Sequence, residues 1–202
     1  MTSQNPFPKP SALQRYYLKQ LTDFAAKASN NGWCPATAGN FSIRGNGNLF
    51  WQSPSGVDKS ALQARAFIPI DGKSFEPVNP LSRKPSDETP VHGRIYQLFP
   101  EVNSVFHVHP PNLIKRLTQN LPLIFEGQEI LKAFGFKSHL DRLEIPILAN
   151  SQDMHGLASN LELSQLQSAP LLVLDGHGVY SWGINASKAF TYIEALEFLC
   201  NQ

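Results

Sequence analysis

The sequence predicts an α/β fold, an α/β/α sandwich in which a mainly antiparallel central sheet carries helices on both faces. Three observations carry this. Short apolar runs are joined by tight turns such as Gly45-Asn46-Gly47-Asn48 and Asp175-Gly176, the usual connection between antiparallel neighbours. Stretches with helical spacing recur between those runs, enough to cover two faces of a sheet. The chain has 202 residues and no internal repeat or low-complexity linker, which suits a single domain with one full core. The expected boundaries are a flexible N-terminal arm over residues 1–10 and one domain over 11–202.

Composition removes several function classes. Lys+Arg 17 against Asp+Glu 16 gives a net charge of +1. No basic excess points to nucleic acid, so any anion must be recognised locally. Two cysteines, Cys34 and Cys200, are too few for a disulfide framework and fit a reducing compartment. The polar, Pro-rich start lacks the apolar core of a signal peptide, and no apolar run reaches membrane-spanning length. A cytoplasmic protein is expected.

Ser11 follows Pro10 and can cap a first helix, in which Leu13, Tyr17, Leu21, Phe24, Ala25 and Ala28 recur at helical spacing; Asn31-Gly32 stops it. Phe41-Ser42-Ile43-Arg44 and Leu49-Phe50-Trp51 read as a hairpin around Gly45–Asn48. Ala66 to Ile70 is a further strand, turned by Asp71-Gly72. Pro90 suits the first turn of a helix with Val91, Ile95, Leu98 and Phe99 inward, capped by the Ser, Asp or Thr before it. Val102 to Phe106 is a strand ended by Pro110-Pro111. Asn112 to Gln119 is a short helix, Glu126 to Phe134 a helical turn over the site, Leu143 to Ala149 a strand and Met154 to Leu166 a helix. Leu171–Leu174 is a buried strand, and His177 to Gly183 returns beside it. Asn185 or Ser187 opens the last helix, Lys188 to Leu199.

The chemistry begins at Phe106-His107-Val108-His109-Pro110. Residues i and i+2 of a strand share a face, so His107 and His109 project side by side while Val108 packs the other way. On its own, the pair reads equally well as two packed, hydrogen-bonded sheet histidines. His177 stands between Gly176 and Gly178 at a turn between two strands, where it can reach the rim of the sheet. The three together give three neutral nitrogen ligands with a fourth position open, the pattern of a catalytic zinc. His92 is expected to pack within a helix, and His139 and His155 to lie on the surface.

Three small-residue loops, Thr37–Asn40, Ser53–Gly56 and Ser86-Asp87, suit a phosphate through backbone N–H groups and a helix N-terminus. Arg44, Lys59 and Lys84 lie near them in sequence. Two acids could move protons. Glu88 sits at the mouth of the helix after Ser86, where it could equally balance the helix dipole. Glu129 sits among apolar residues, where a raised pKa could arise. Zinc hydrases also use His-X-His with a distant His, but they leave the three loops without a role. A cupin would need an acid about four residues past His-X-His, where Leu113 and Ile114 stand.

The ordered set Ala38-Gly39-Asn40-Phe41-Ser42, Ser53-Pro54-Ser55-Gly56, Pro85-Ser86-Asp87-Glu88-Thr89, His107-Val108-His109 and His177-Gly178-Val179-Tyr180-Ser181-Trp182-Gly183 resembles the class II (zinc) aldolase family. The resemblance covers nearly the whole chain after the arm. Ser55-Gly56-Val57-Asp58-Lys59 and Gln128-Glu129-Ile130-Leu131-Lys132 are most similar to its dehydratase branch. The resemblance implies one Zn(2+) per subunit on His107, His109 and His177. It implies a sugar phosphate held by Gly39, Asn40, Ser55, Gly56, Lys59 and Ser86, in a homotetramer with its sites near subunit boundaries. In the dehydratase branch the position of Glu129 is the general acid/base; in the aldolase branch the position of Glu88 approaches zinc and transfers the proton. Both acids are present here, so the motifs also admit an aldolase or epimerase. Relatives without the metal site serve as cytoskeletal binding modules, and the three intact histidines argue against that role.

Overall fold

The computed structural model describes residues 7–138 and 140–202. Helix α1 (Ala12–Asn30) leads into strands β1 (Asn40–Arg44), β2 (Leu49–Gln52) and β3 (Ile68–Asp71). Helix α2 (Thr89–Leu98), β4 (Ser104–Val108) and α3 (Pro111–Thr118) follow, then the short strands β5 (Ile124–Glu126), β6 (Arg142–Glu144) and β7 (Ile147–Leu148). Helix α4 (Met154–Asn160), β8 (Leu171–Leu174), β9 (Gly178–Gly183) and α5 (Ala186–Cys200) complete the order. The main sheet has the strand order β3-β2-β1-β4-β9-β8-β7, and β5 pairs with β6 apart from it. Every pairing in the main sheet is antiparallel except β7 with β8.

The alternation of β4 explains the layers. Phe106 and Val108 face one core cluster, shared with Leu21 of α1, Leu113 of α3 and Phe190 of α5. Val105 faces the other, shared with Ile95 of α2, Ala158 of α4 and Trp182 of β9. Helices therefore cover both faces of the sheet, as the sequence predicts. β4 lies centrally between β1 and β9, and its C-terminal end brings Asn40, His107 and Tyr180 into one row across three strands.

Local differences have local causes. The Ser11 side chain caps α1 and Gln14 returns the bond in a capping box. The inward stripe of α1 nevertheless runs through Leu18, Leu21, Ala25 and Ala28. Leu13 and Tyr17 face outward, because Gln14 turns inward to Asn46. The segment expected as one strand over Leu143–Ala149 is two short ones, interrupted at Pro146, which has no N–H to give to a ladder. The helix expected over Met154–Leu166 ends at Asn160. The extended Leu161 breaks it, and a separate 3-10 turn covers Leu163–Leu166. Residues 1–6 of the expected arm lie outside the described residues; Phe7 and Pro8 line a cleft with Trp51 and Phe67. Among the described residues, no helix is long and apolar enough to cross a membrane.

Candidate metal centre and cleft

The three histidines predicted from spacing meet. His107 is fully buried at the end of β4, and His109 follows just past the strand. Their Nε2 atoms are 2.8 Å apart. The His177 ring lies 4.9 Å from that of His107 and 5.0 Å from that of His109, centroid to centroid. One ring nitrogen from each lies within 4.8 Å of the others.

Backbone contacts fix this triangle. The His109 N–H donates to Trp33 O at 2.9 Å, and the His177 N–H to Leu174 O at 3.1 Å. Gly176 adopts φ +59, which allows the turn that lifts His177 to the rim. Asp175 N–H donates to Leu148 O, which brings the end of β7 alongside. There the Asn150 Oδ1 meets His177 Nδ1 at 3.2 Å. An Nδ1–H donating to that carbonyl leaves the Nε2 lone pair free to bind a metal. Tyr180 stacks on His107 at 4.2 Å.

Glu88 completes the centre. As the N-cap of α2, it places Oε1 3.2 Å from His107 Nε2 and 3.1 Å from His177 Nε2. Oε1 is buried, and neither approach has hydrogen-bond geometry. Its other oxygen accepts from Asn40 Nδ2 at 2.5 Å. Burial works to raise the Glu88 carboxyl, but the nearby His107 and His177 and the Asn40 amide outweigh it and hold it well below the usual carboxylate range. Burial lowers His107 to about 3 and His109 to about 4. At neutral pH His107 and His109 are thus neutral, beside an ionised Glu88 carboxylate. Three histidine nitrogens lie together with a Glu88 oxygen beside two of them, and this donor set fits a divalent metal.

The centre opens into a cleft of about 490 Å³, lined by Gly39, Asn40, Ser55, Gly56, Ser86, Glu88, His109 and His177 among others. The three predicted loops therefore do come together. A bridge between Pro54 and Pro85, with Ser55 N–H donating to Lys84 O at 3.0 Å, joins two of them. Larger clefts of about 800 and 780 Å³ exist elsewhere, but neither contains a triad histidine; the chemistry decides which cleft matters. Gln152 and Met154 also line the triad cleft. These two and Asn150 are isolated in the sequence and carried no motif by which to find them.

Four long side chains do not line the triad cleft. Lys59 does not line the cleft: it is 2% exposed, and its ammonium donates to Thr37 O at 2.6 Å and Val57 O at 2.8 Å. Arg44 donates instead to Val102, Tyr96 and Phe99 carbonyls near the end of α2. Lys84 pairs with Asp87 on the surface. Glu129 opens a 3-10 turn over Glu129–Phe134 that packs on α5, pairs with Lys132, and leaves its side chain 68% exposed. Ile130 and Phe134 turn to the core while the carboxylate turns out, so the turn does not roof the cleft of its own chain.

Of the other histidines, His92 is fully buried and bonds Ser42 Oγ at 2.7 Å through Nδ1. His155 is exposed, and His139 lies outside the described residues. Cys34 and Cys200 are free and buried.

Known proteins agree with the fold and the motifs. The family described as Class II Aldolase and Adducin N-terminal domain matches residues 19–202. A methylthioribulose-1-phosphate dehydratase from Enterobacter sp. (strain 638) is 40% identical over 188 residues, covering 90% of this chain and 91% of the relative. One from Yersinia enterocolitica is 38% identical over 174 residues, covering 83% and 81%. Among solved structures, L-fuculose-1-phosphate aldolase from Thermus thermophilus superposes with a TM-score of 0.71 at 22% identity, covering 93% of each chain. A sugar-phosphate aldolase from Thermotoga maritima gives 0.68 at 17%, covering 94% of each. With this fold, these motifs and these relatives, the chain belongs to the class II aldolase and adducin N-terminal domain family.

Proposed function

We propose that this chain is a zinc-dependent methylthioribulose-1-phosphate dehydratase, a hydro-lyase of methionine salvage. It would convert 5-methylthioribulose 1-phosphate to 2,3-diketo-5-methylthiopentyl 1-phosphate. The observation that carries this reading is the name shared by relatives up to 40% identical over nine-tenths of the chain, on a chain whose three histidines converge. His107, His109 and His177 would hold one zinc per subunit, which would supply Lewis-acid polarisation of the substrate's carbonyl.

The phosphate sits among Gly39, Ser55, Gly56 and Ser86. Asn40 acts by orienting Glu88, since its amide is already engaged there. The ionised Glu88 positions the substrate beside the triad. Glu129 shuttles one proton: its carboxylate takes the C3 proton and returns it to the departing C4 hydroxyl. Water leaves, and the resulting enol relaxes to the 2,3-diketone. Because Glu129 lies outside the cleft of its own chain, it serves the site of a neighbouring copy. This reading requires an oligomer, in keeping with the expected homotetramer of cytoplasmic subunits, each a single catalytic domain over residues 11–202.

The test is to incubate zinc-loaded protein with methylthioribulose 1-phosphate and identify the product. A diketone with retention of all carbons is expected. Dihydroxyacetone phosphate would instead indicate retro-aldol cleavage, and the absence of either product would refute the reading.

A further inference from the structure

Lys59 is a buried cation without a buried anion. Among the described residues, no carboxylate forms an ion pair with it, and its only bonds are to the Thr37 and Val57 carbonyls. Adjacent Asp58 turns instead to the Ser60 N–H and hydroxyl. Neighbouring Cys34 supplies no counter-charge, because burial pushes its thiol up to about 11 and keeps it neutral at pH 7. An ammonium taken out of water in this way carries a desolvation cost that two carbonyls only partly offset.

The two carbonyls lie at or beside segments that line the triad cleft. Thr37 lies in the wall Ala36–Gly39, and Val57 follows directly on Ser55-Gly56. The first wall is strained. Ala36 and Thr37 adopt φ of 48 and 69, left-handed conformations in which a β-branched residue such as threonine is an outlier. Gly39 packs so closely on β4 that an added Cβ would lie 2.9 Å from His107 O. The wall is therefore held on one side by the metal strand and on the other by Lys59.

We propose that Lys59 is a positioning residue for the substrate's phosphate: its ammonium clamps the left-handed Ala36-Thr37 turn to the Ser55-Gly56 loop and supplies positive charge behind them. This rests on the reading of those loops as the phosphate cradle. Lysine suits the task because its compact, strongly hydrated head can satisfy several carbonyls at the end of a long apolar stem.

The experiment compares Lys59→Met and Lys59→Gln with the parent, using inorganic phosphate as the probe in calorimetry and methylthioribulose 1-phosphate in turnover. Loss of one charge-assisted interaction is expected to weaken phosphate binding and raise KM by about tenfold or more. Zinc stoichiometry and kcat should persist. Lys59→Gln, which keeps a donor but not the charge, should fall between the parent and Lys59→Met. A merely structural lysine would lower the melting temperature and leave phosphate affinity at the parent value, and that result overturns the proposal. If the substituted chains do not fold, the parent with 15N-labelled lysine decides. Phosphate should slow hydrogen exchange at the Lys59 ammonium, and an unchanged rate overturns the proposal. A parent that binds no phosphate at all overturns the cradle reading itself, and a parent that binds phosphate but lacks turnover overturns only the assigned reaction.

Discussion

Gly178 should be the most sensitive glycine at the metal centre. It opens β9, and a Cβ built there would lie 2.6 Å from Val108 O, 2.8 Å from His109 Cδ2 and 3.3 Å from His107 Cε1. A carbon bearing hydrogens rests at about 3.3 Å or more from a carbonyl oxygen, so Gly178→Ala must open the gap to β4 by about 0.7 Å. Neither neighbour is a flexible chain end: one is backbone, the other a ring whose own backbone is pinned to Trp33 O. Metal ligands keep their distances to within about 0.2 Å, so such a displacement takes His109 out of register with the other two. Zinc affinity should fall at least as far as when a supporting partner is lost, about 10–100-fold. Overpacking should cost about 1–3 kcal/mol, or about 2–12 °C in melting temperature at this chain length. Competition against a chromophoric chelator measures the first quantity and calorimetry the second. Gly176→Ala is the control. Gly176 also has a positive φ, but an added Cβ meets nothing within 4 Å. It should cost only about 1–2 kcal/mol of backbone strain and leave zinc binding intact. If Gly178→Ala binds zinc as tightly as the parent and melts with it, the steric reasoning is wrong.

Glu129→Gln should lower kcat by about 10²–10⁴-fold with zinc retained, the usual range for a general acid/base. If, as proposed, one copy supplies the metal site and the other the acid, mixing Glu129→Gln subunits with His109→Ala subunits should restore activity; failure to complement would place Glu129 in its own chain's site or outside catalysis. Asn150→Ala should weaken zinc by about tenfold by freeing the His177 ring, whereas Asn150→Asp, which keeps the acceptor, should restore it; equal affinities in both would remove Asn150 from the metal site. The metal-free protein should lose stability as pH falls below the ordinary imidazole value of about 6.5. Burial lowers His92 and His107 to about 3 and His109 to about 4 in the folded chain, so the unfolded chain binds more protons between those values. Glu88, held low in the fold, adds to the loss in the same direction below the usual carboxylate range. A melting temperature that stays constant from pH 7 to pH 5 would contradict this.

The meeting of the three histidines was legible because it follows from backbone periodicity. Alternation along β4 dictates that His107 and His109 share a face, and glycines beside His177 announce a turn. The strands and layers were legible for the same reason. What was not legible depends on where long side chains end. Lys59 follows directly on a predicted phosphate loop, yet its four-carbon stem carries the ammonium into the interior, to the Thr37 and Val57 carbonyls. Arg44 likewise reaches to the end of α2. Glu129 lies among apolar neighbours in sequence, but its 3-10 turn separates the carboxylate from Ile130 and Phe134. The inward register of α1 depends on Gln14 finding Asn46 across the fold, a contact that helical spacing cannot encode.

These placements change how the site must handle charge. A sugar phosphate brings about two negative charges, yet none of Arg44, Lys59 and Lys84 lines the triad cleft. Glu88 adds a further negative charge at its floor, held ionised beside the histidines. On the proposed function, the compensating charge would come from a metal on the three imidazoles, from backbone N–H groups, and from Lys59 behind the wall. Metal and phosphate binding would then be coupled, because each removes part of the electrostatic cost of the other. Glu88 would also be a poor proton donor next to such a metal, since a cation stabilises its ionised form. Proton delivery to a leaving hydroxyl needs a carboxyl that can hold the proton before giving it up. The acid must accordingly enter from outside the metal's immediate surroundings, which is where the exposed Glu129 of a neighbouring copy would approach.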